Sequence, residues 1–149
     1  KDIYAFAHLT TKEMDEFANR YLMIIDPKFI KLFETDSKEV IAFIISIPDI
    51  SEGIKKCKGR LLPFGIYQLF KAQKKTKQLD LLLGAIKPEY QNSGIDVMMG
   101  VSLMEEAKKA GKTFIDSHLI LETNLKMRAE VEKMGGIIYK KFRIYQKKL

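Results

Sequence analysis

The sequence predicts an α+β (mixed α/β) protein in which a central mixed sheet carries helices on both faces. Three observations predict this fold class. The nearly continuous apolar run Leu79–Ile86 has the length and composition of a strand covered on both sides. It is followed by a Pro-marked polar loop and by a long segment of helical apolar spacing that ends at Gly111. Strand and helix signals then alternate along the rest of the chain, as expected when helices pack on a sheet.

The N-terminal part is predicted to form a helix and then a β-hairpin. Thr10 or Thr11 can cap a first helix that runs to about Met23, although the capping box that would start at Thr11 is incomplete. The segments Phe29–Glu34 and Val40–Ile47 are rich in β-formers and are joined by a Thr-Asp-Ser turn. We therefore expect them to be two antiparallel strands.

Two short helices should follow the hairpin. The first spans Ile50–Cys57, and the second begins near Pro63. In the second, Phe64, Tyr67 and Phe70 recur with helical spacing, so that three aromatic rings share one stripe. Because an apolar helical stripe usually faces the core, we expect these rings to be buried.

The second half of the chain continues the alternation of helices and strands. Helical spacing predicts a helix over Ile95–Ala110, and weak alternation predicts a strand over Phe114–Leu121. A further helix over Asn124–Met134 is stopped by the Gly135-Gly136 pair. The predicted final strand is Ile137–Gln146.

Composition sets the class of protein. A chain of 149 residues without an internal linker is predicted to be one domain, 1–149, and its 46% apolar and 30% charged residues are ordinary for a globular protein. No apolar run approaches the ~20 residues that span a bilayer. The only cysteine, Cys57, fits a reducing cytoplasm, and the scattered His and Cys residues predict no metal site.

The positive charge is concentrated in one segment. The net charge is +7, and the chain from Gly53 to Leu79 contains eight basic residues and no acidic one. The basic residues are Lys55, Lys56, Lys58, Arg60, Lys71, Lys74, Lys75 and Lys77. Such a segment attracts the phosphates of a nucleotide cofactor, a nucleic acid or an anionic lipid, or it is simply a solvated surface. From the sequence we expect no membrane partner, and the absence of an RNA- or DNA-binding motif argues against nucleic acid.

The loop after the apolar run is the main candidate site. A short polar loop whose Gly opens a helix points several backbone N–H groups at one place in front of the helix N-terminus. Those amides and the positive end of the helix dipole suit a phosphate or pyrophosphate group.

The residues of this loop resemble the central motif of the GNAT superfamily of acyl-CoA N-acyltransferases. That motif is a strand ending in a Val-x-Pro-like turn, followed by Gln/Arg-x-x-Gly-x-Gly/Ala. The matching residues here are Ile86, Lys87, Pro88, Gln91, Asn92, Ser93, Gly94, Ile95 and Asp96. The last of them departs from the motif, because Asp96 replaces Gly or Ala. Asn124 and the later Val-Glu-Lys-Met-Gly-Gly run resemble the superfamily's second recognisable segment, and the resemblance covers Phe29–Leu149.

The resemblance implies that the fold is entered at its second strand, with the usual first strand and helix ahead of Lys1. More narrowly, the chain is similar to the C-terminal half of a bacterial group with two tandem GNAT-like domains, whose function is unsettled. We therefore expect an upstream GNAT-like domain as a partner. Without the first strand, Phe29–Glu34 should form a sheet edge that residues Lys1–Thr10 cover or a homodimer pairs.

The resemblance also implies a cofactor, acetyl-CoA or another acyl-CoA, and an amine acceptor of unknown identity. The pyrophosphate would lie on the loop amides, and the pantetheine arm would lie along the end of the central strand and near Asn124. The cofactor-binding residues implied in this way are Ala85, Ile86, Gln91, Asn92, Ser93, Gly94, Ile95, Asp96 and Asn124. In the family a Tyr often protonates the leaving thiolate, and its position is Val131 here. The catalytic residues therefore remain unassigned.

Three functions follow from these residues. The first is N-acyl transfer from acyl-CoA, the second is a catalytically silent GNAT-like module, as Asp96 and Val131 favour, and the third is an aminoacyl-tRNA-linked transferase. Asp96 can lie near the pyrophosphate, cap the helix or pair with a lysine. Asp116 and His118 form either an acid–base pair in a cleft or a structural hydrogen bond.

Overall fold

The computed structural model describes residues 10–22, 25–58, 60, 64–145 and 147. The chain divides into two compact units, Lys1–His118 and Leu119–Leu149, and each is considered by itself. That 1–149 forms one domain stays a prediction. No helix in these described ranges is both long and apolar enough to cross a membrane.

The first unit contains a mixed sheet of four strands. They are β1 (Ile30–Glu34), β2 (Val40–Pro48), β3 (Gln78–Ile86) and β4 (Phe114–Asp116), and they lie in the order β1-β2-β3-β4. β1 and β2 form the predicted hairpin and β2 pairs antiparallel with β3, whereas β3 and β4 are parallel. The mixed sheet and the predicted hairpin are confirmed, and β1 is an edge of the described sheet.

The helices lie close to their predicted positions. They are α1 (Thr11–Leu22), α2 (Ser51–Cys57), α3 (Gly65–Lys75), α4 (Ile95–Lys109) and α5 (Leu125–Lys133). α1 begins with a complete capping box, because the Thr10 backbone N–H and hydroxyl donate to Glu13 and the Glu13 N–H donates to the Thr10 hydroxyl. Thr10, rather than Thr11, is therefore the residue that caps α1.

α4 and the sheet form the main core. Leu79 on β3 and Phe29, just before β1, are fully buried, and Met99 and Leu103 of α4 are nearly so. The residues of this cluster are Phe29, Ala42, Ile44, Leu79, Met99, Leu103 and Ala107. Burying such side chains supplies most of the free energy that holds α4 against the strands.

α2 and α3 pack closely against each other. A Cβ added to Gly53 of α2 would lie 2.9 Å from the Gln68 carbonyl oxygen of α3, so the absence of a side chain lets the two helices approach. The aromatic stripe of α3 faces outward: Phe64, Tyr67 and Phe70 are 76%, 62% and 47% exposed. The prediction that these rings are buried is wrong, because the inner face of α3 consists of Gly65 and Leu69 instead.

The C-terminal strand predictions are also wrong. β4 ends at Asp116 rather than at Leu121, and the backbone at His118 has φ of +53°, which a strand cannot accommodate. Residues 137–145 form no strand, and the described residues of the second unit offer none for them to pair with. Ile137 and Ile144 are accordingly exposed. The predicted helix at Asn124 is confirmed as α5.

Candidate functional site

The sheet opens beside the end of β3. The parallel register of β3 and β4 covers only three positions, from Gln78 with Phe114 to Asp80 with Asp116. β3 then continues to Ile86 while its other edge stays paired with β2. In the described sheet, residues 81–86 therefore present a free edge toward the side where β4 has ended.

The loop after β3 is held by its own hydrogen bonds. The Lys87 N–H donates to the Ile41 carbonyl at 2.9 Å, and the Gln91 side-chain amide donates to the Ile86 carbonyl at 3.2 Å. The Ser93 hydroxyl donates to the Tyr90 carbonyl at 2.6 Å. These bonds connect the end of β3 to the start of α4. Gln91 and Ser93, two of the predicted site residues, thus shape the loop through their side chains.

Gly94 sets the direction in which α4 begins. It is the N-cap residue of α4 and has φ of +85°, a left-handed conformation that costs other residues about 1–2 kcal/mol. An added Cβ would meet nothing within 4 Å, so the backbone angle, and not crowding, is what favours Gly here. Asn92 also has positive φ, at +61°.

The backbone amides of the loop and first helical turn are free. Within the described residues, the N–H groups of residues 92–97 donate to no protein acceptor, and no side chain caps α4. α4 is 15 residues long, and the positive end of its dipole lies at these amides. The predicted residues Asn92, Ser93, Gly94, Ile95 and Asp96 thus lie together at a helix N-terminus with free amides, a kind of place that suits an anion; that they bind one stays a prediction.

Asp96 lies in the first turn of α4 and is half-buried. It does not cap the helix, and within the described residues it forms no ion pair. Two of its three possible arrangements, capping and pairing with a lysine, are therefore absent. Its carboxylate interacts favourably with the helix dipole but opposes any anion on the same amides.

The residues predicted for the pantetheine arm fall in two places. Ala85 and Ile86 lie on the free part of β3, where a hydrogen-bonding ligand can add to the strand. Asn124 belongs to the second unit, where its Oδ1 accepts from the Met127 N–H at 3.2 Å and caps α5. Capping accounts for this Asn within its unit, and its contact with a cofactor stays a prediction.

Val131 has a packing role. It lies on α5, and an added Cβ at Gly136 would overlap the Val131 side chain, while the Gly136 N–H donates to the Val131 carbonyl at 2.8 Å. The aliphatic side chain of Val131 therefore packs against the glycine pair that follows α5. Val131 carries no group that donates a proton.

The Asp116–His118 pair differs from its prediction as an acid–base dyad. The Asp116 carboxylate accepts from the His118 backbone N–H at 2.8 Å, which makes this contact a local turn bond. The imidazole Nε2 lies instead 3.8 Å from Oδ2 of Asp80. The alternative of a structural hydrogen bond therefore describes Asp116, whereas His118 faces a different carboxylate.

Asp80 is a candidate site residue that the sequence did not single out. It is buried, it accepts from the Gln78 side-chain amide at 2.8 Å, and burial raises the pKa of its carboxyl. It also occupies the last paired position of β3 and β4, where the sheet begins to open. The available signal was a single charged residue inside the apolar run from Leu79 to Ile86. A buried carboxyl with a raised pKa at an opening is a candidate acid–base group.

A groove of about 420 Å³ lies at the other end of α4. It is bordered by Phe29, Phe70, Ala110 and Lys112, among others. Because α4 has 15 residues, this groove is separated from the loop amides by about 22 Å of helix. It is therefore a separate feature from the candidate anion site.

Similar proteins of known structure are acetyltransferases. The aminoglycoside 6'-N-acetyltransferase AAC(6')-Ih of Acinetobacter baumannii is 16% identical with a TM-score of 0.56, and the match covers 99% of this chain and 85% of that one. A Trypanosoma brucei acetyltransferase is 16% identical with a TM-score of 0.54, covering 94% and 82%. AAC(6')-Iy, solved with a CoA-containing bisubstrate analogue, is 12% identical with a TM-score of 0.56, covering 91% and 80%.

Two curated bacterial proteins are similar in sequence, while no protein-family model matches. The bacterial ceramide synthase of Caulobacter vibrioides is 28% identical over 154 residues, covering 99% of this chain. Protein YghO of Escherichia coli is 29% identical over 154 residues, covering 98%. The chain spans 40% and 39% of the length of these relatives. The mixed sheet, its opening beside β3 and the structural likenesses agree, and this chain has the fold of the GNAT acetyltransferase superfamily.

Proposed function

We propose that this chain is an acyl-CoA-dependent N-acyltransferase domain that transfers an acyl group from a thioester to an amine. One observation carries the proposal: the free amides of residues 92–97 follow the free edge of β3 after a five-residue loop, 87–91. An anionic group and an extended hydrogen-bonding arm can therefore be held by adjacent parts of the backbone. A cofactor that joins a pyrophosphate to an amide-containing arm has both parts.

In this proposal the chain acts mainly by positioning. The amides at the start of α4 hold the pyrophosphate, and the edge of β3 through Ala85 and Ile86 orients the arm. When bound, acyl-CoA supplies an activated thioester carbonyl that an amine can attack. Holding the two reactants together makes the step effectively unimolecular, which is worth several kcal/mol of the barrier.

We infer that the Asp80–His118 pair receives the one proton that the amine loses as its nitrogen bonds to the acyl carbon and the C–S bond of the thioester breaks to release the thiolate. The two residues lie at the point where β3 and β4 part, and the imidazole is 3.8 Å from the carboxylate. An attacking amine must be neutral and must release a proton on forming the amide, and a positioned base accelerates such a transfer. The acyl-CoA donor would place the reaction in the cytoplasm.

The acceptor class we propose is a long-chain amine. The Caulobacter relative is named a ceramide synthase, and a ceramide is by definition an N-acylated long-chain amino alcohol. By that name the relative forms an amide, the bond that N-acyl transfer makes. A partner domain supplied by a longer protein would form the rest of the acceptor site, since this chain matches about two fifths of each relative.

A catalytically silent module is the second candidate. Asp96 places an uncompensated carboxylate in the first turn of α4, and Val131 donates no proton. At a separation of about 5 Å, a carboxylate and a pyrophosphate charge repel by about 1–3 kcal/mol for effective dielectrics between 80 and 20. Such a module would keep the GNAT-like fold but would bind acyl-CoA weakly or not at all.

Calorimetric titration with acetyl-CoA and with a long-chain acyl-CoA tests the proposal. Gly94→Ala should weaken binding about tenfold, because straining the loop misdirects its amides. Gly111→Ala is the matched control, since Gly111 also has positive φ and open space around its Cα but ends α4 instead of beginning it. Asp96→Gly should tighten binding by about 1 kcal/mol. Equal losses in both glycine variants, or no binding in any form, would contradict cofactor binding at this loop.

A further inference from the structure

The outer surface of α2 and α3 combines exposed aromatic rings with lysines, few of which have a described carboxylate partner. Phe64, Ile66, Tyr67 and Phe70 are all exposed at the N-cap and first turns of α3, and Phe70 also borders the groove beside Phe29. Single exposed apolar side chains are common on proteins, whereas several together mark a surface that meets another phase or molecule. We call these four residues the aromatic patch.

The patch is exposed because of how α3 is packed. The inner face of α3 carries the buried residues Gly65 and Leu69, and it meets α2 at Gly53. Small residues on both helices satisfy that interface without using the rings. The aromatic rings of the patch consequently lie outside the interface between α2 and α3, which together we call the α2–α3 hairpin.

The C-terminal turns of α3 carry exposed lysines beside the aromatic patch. Lys71, Lys74 and Lys75 occupy its last turns and are exposed. The Lys71 ammonium lies 5.7 Å from the centre of the Tyr67 ring, which joins the charge to the patch. The helix is therefore divided along its length, with apolar rings at its N-terminal end and ammonium groups at its C-terminal end.

The charge of this hairpin is scarcely neutralised. No acidic residue occurs between Gly53 and Leu79, and among the described residues only Lys55 of the eight basic residues has a carboxylate within ion-pair distance, that of Glu52. Lys56 and Lys58 on α2 and its C-cap add to the ammonium groups of α3. A strongly positive field beside an apolar patch is complementary to an anionic, partly apolar surface.

We propose that the α2–α3 hairpin docks on an anionic lipid surface, with the aromatic patch inserted among the headgroups and the lysines on lipid phosphates. An amphipathic helix with aromatic and aliphatic residues on one side and lysines beside them binds in this way. This replaces the expectation of no membrane partner, and it goes beyond the proposed function, since it stands whether or not acyl transfer occurs.

Lipid fits this surface better than nucleic acid does. Ile54 on α2 and Ile66 on α3 are also exposed and offer no aromatic face on which a base can stack. Arg60 is the single arginine among the eight basic residues, whereas nucleic-acid sites favour the flat, bidentate guanidinium group. Aliphatic side chains do, however, contribute fully to insertion among lipid chains.

The chain contains no Trp, so a single introduced Trp reports on its own surroundings. Phe64→Trp should show a blue-shifted emission on addition of phosphatidylcholine vesicles containing phosphatidylglycerol, and brominated lipid should quench it. Leu32→Trp, at an exposed position of β1, is the control and should show neither change. A shift in both variants would mean nonspecific insertion and would overturn the proposal, as would a shift in neither.

Vesicle co-sedimentation separates the apolar and the charged contributions. The triple variant Lys71→Gln/Lys74→Gln/Lys75→Gln should lose vesicle affinity by roughly a hundredfold, because each lysine near an anionic surface contributes several-fold. Lys12→Gln/Lys38→Gln/Lys108→Gln removes the same charge from other parts of the first unit and should change affinity far less. Phe64→Ser/Tyr67→Ser should abolish binding while circular dichroism stays native. Equal losses in the two lysine variants, or binding of single-stranded RNA without vesicle binding, would overturn the proposal.

Discussion

α3 and α4 are both helices of the first unit with apolar side chains at helical spacing, yet the residues that each of them buries differ in kind. α4 buries Met99, Leu103 and Ala107 against the sheet. α3 exposes its aromatic rings and buries Gly65 and Leu69 against the neighbouring helix. The difference shows that apolar spacing defines a stripe on a helix, whereas the surface available nearby decides whether that stripe is buried.

A truncation in each helix gives the largest expected contrast. Leu103→Ala should reduce the free energy of unfolding by about 2–5 kcal/mol, because Leu103 is 3% exposed and its removal leaves a cavity. Phe64→Ala, although it removes more apolar atoms, should change it by less than about 0.5 kcal/mol. Urea unfolding of both variants measures these values. A large loss on changing Phe64 would break the comparison, since it would mean that the ring packs in the folded protein.

The contact of α2 with α3 predicts an intermediate effect. Gly53→Ala places a Cβ 2.9 Å from the Gln68 carbonyl oxygen, and such overpacking costs about 1–3 kcal/mol. The higher helix propensity of Ala returns up to about 1 kcal/mol, so we expect a net loss of about 1 kcal/mol. Thermal unfolding monitored by circular dichroism measures it, with the exposed Lys56→Ala as the control. A stabilised Gly53→Ala protein would show that the two helices do not approach so closely.

The smallest change in the free energy of unfolding is expected at Asp80. This residue lies on β3 between Leu79 and Leu81, which belong to or pack against the core under α4. Burial raises the pKa of Asp80, so the unfolded chain loses this proton first as the pH rises. The stability that the protonated group contributes is complete below the unfolded pKa and is lost as the pH rises through the folded pKa. Asp80→Asn does not titrate, and wild-type stability should therefore fall relative to it as the pH rises from about 4. Urea unfolding across that range tests this, and a constant difference would contradict it.

Local chemistry made several elements predictable. The hairpin, the central strand and the helices at Ile95 and Asn124 follow from alternation, apolar runs and the glycines that end helices, which are short-range signals. The free amides after Gln91 were also predictable, because a loop that opens a helix leaves its first N–H groups without partners.

Long-range features were not predictable in this way. Ile137–Gln146 alternates like a strand, but the described part of its unit contains no strand to pair with, and residues 137–145 form none. The proximity of His118 to Asp80 depends on the parallel register of β3 and β4. That register joins residues far apart in sequence, and no local pattern contains it.

The sequence by itself determined the β1–β2 hairpin, the central strand and the helices, which glycines permit positive φ, and that a basic segment without acids lies between Gly53 and Leu79. Only the tertiary structure decided that the rings of α3 face outward, that Asp80 lies at the opening of the sheet, and that β3 keeps a free edge. The physical reason is that turns, caps and charge depend on neighbours along the chain. Burial and strand pairing depend on which surfaces the rest of the fold brings into contact.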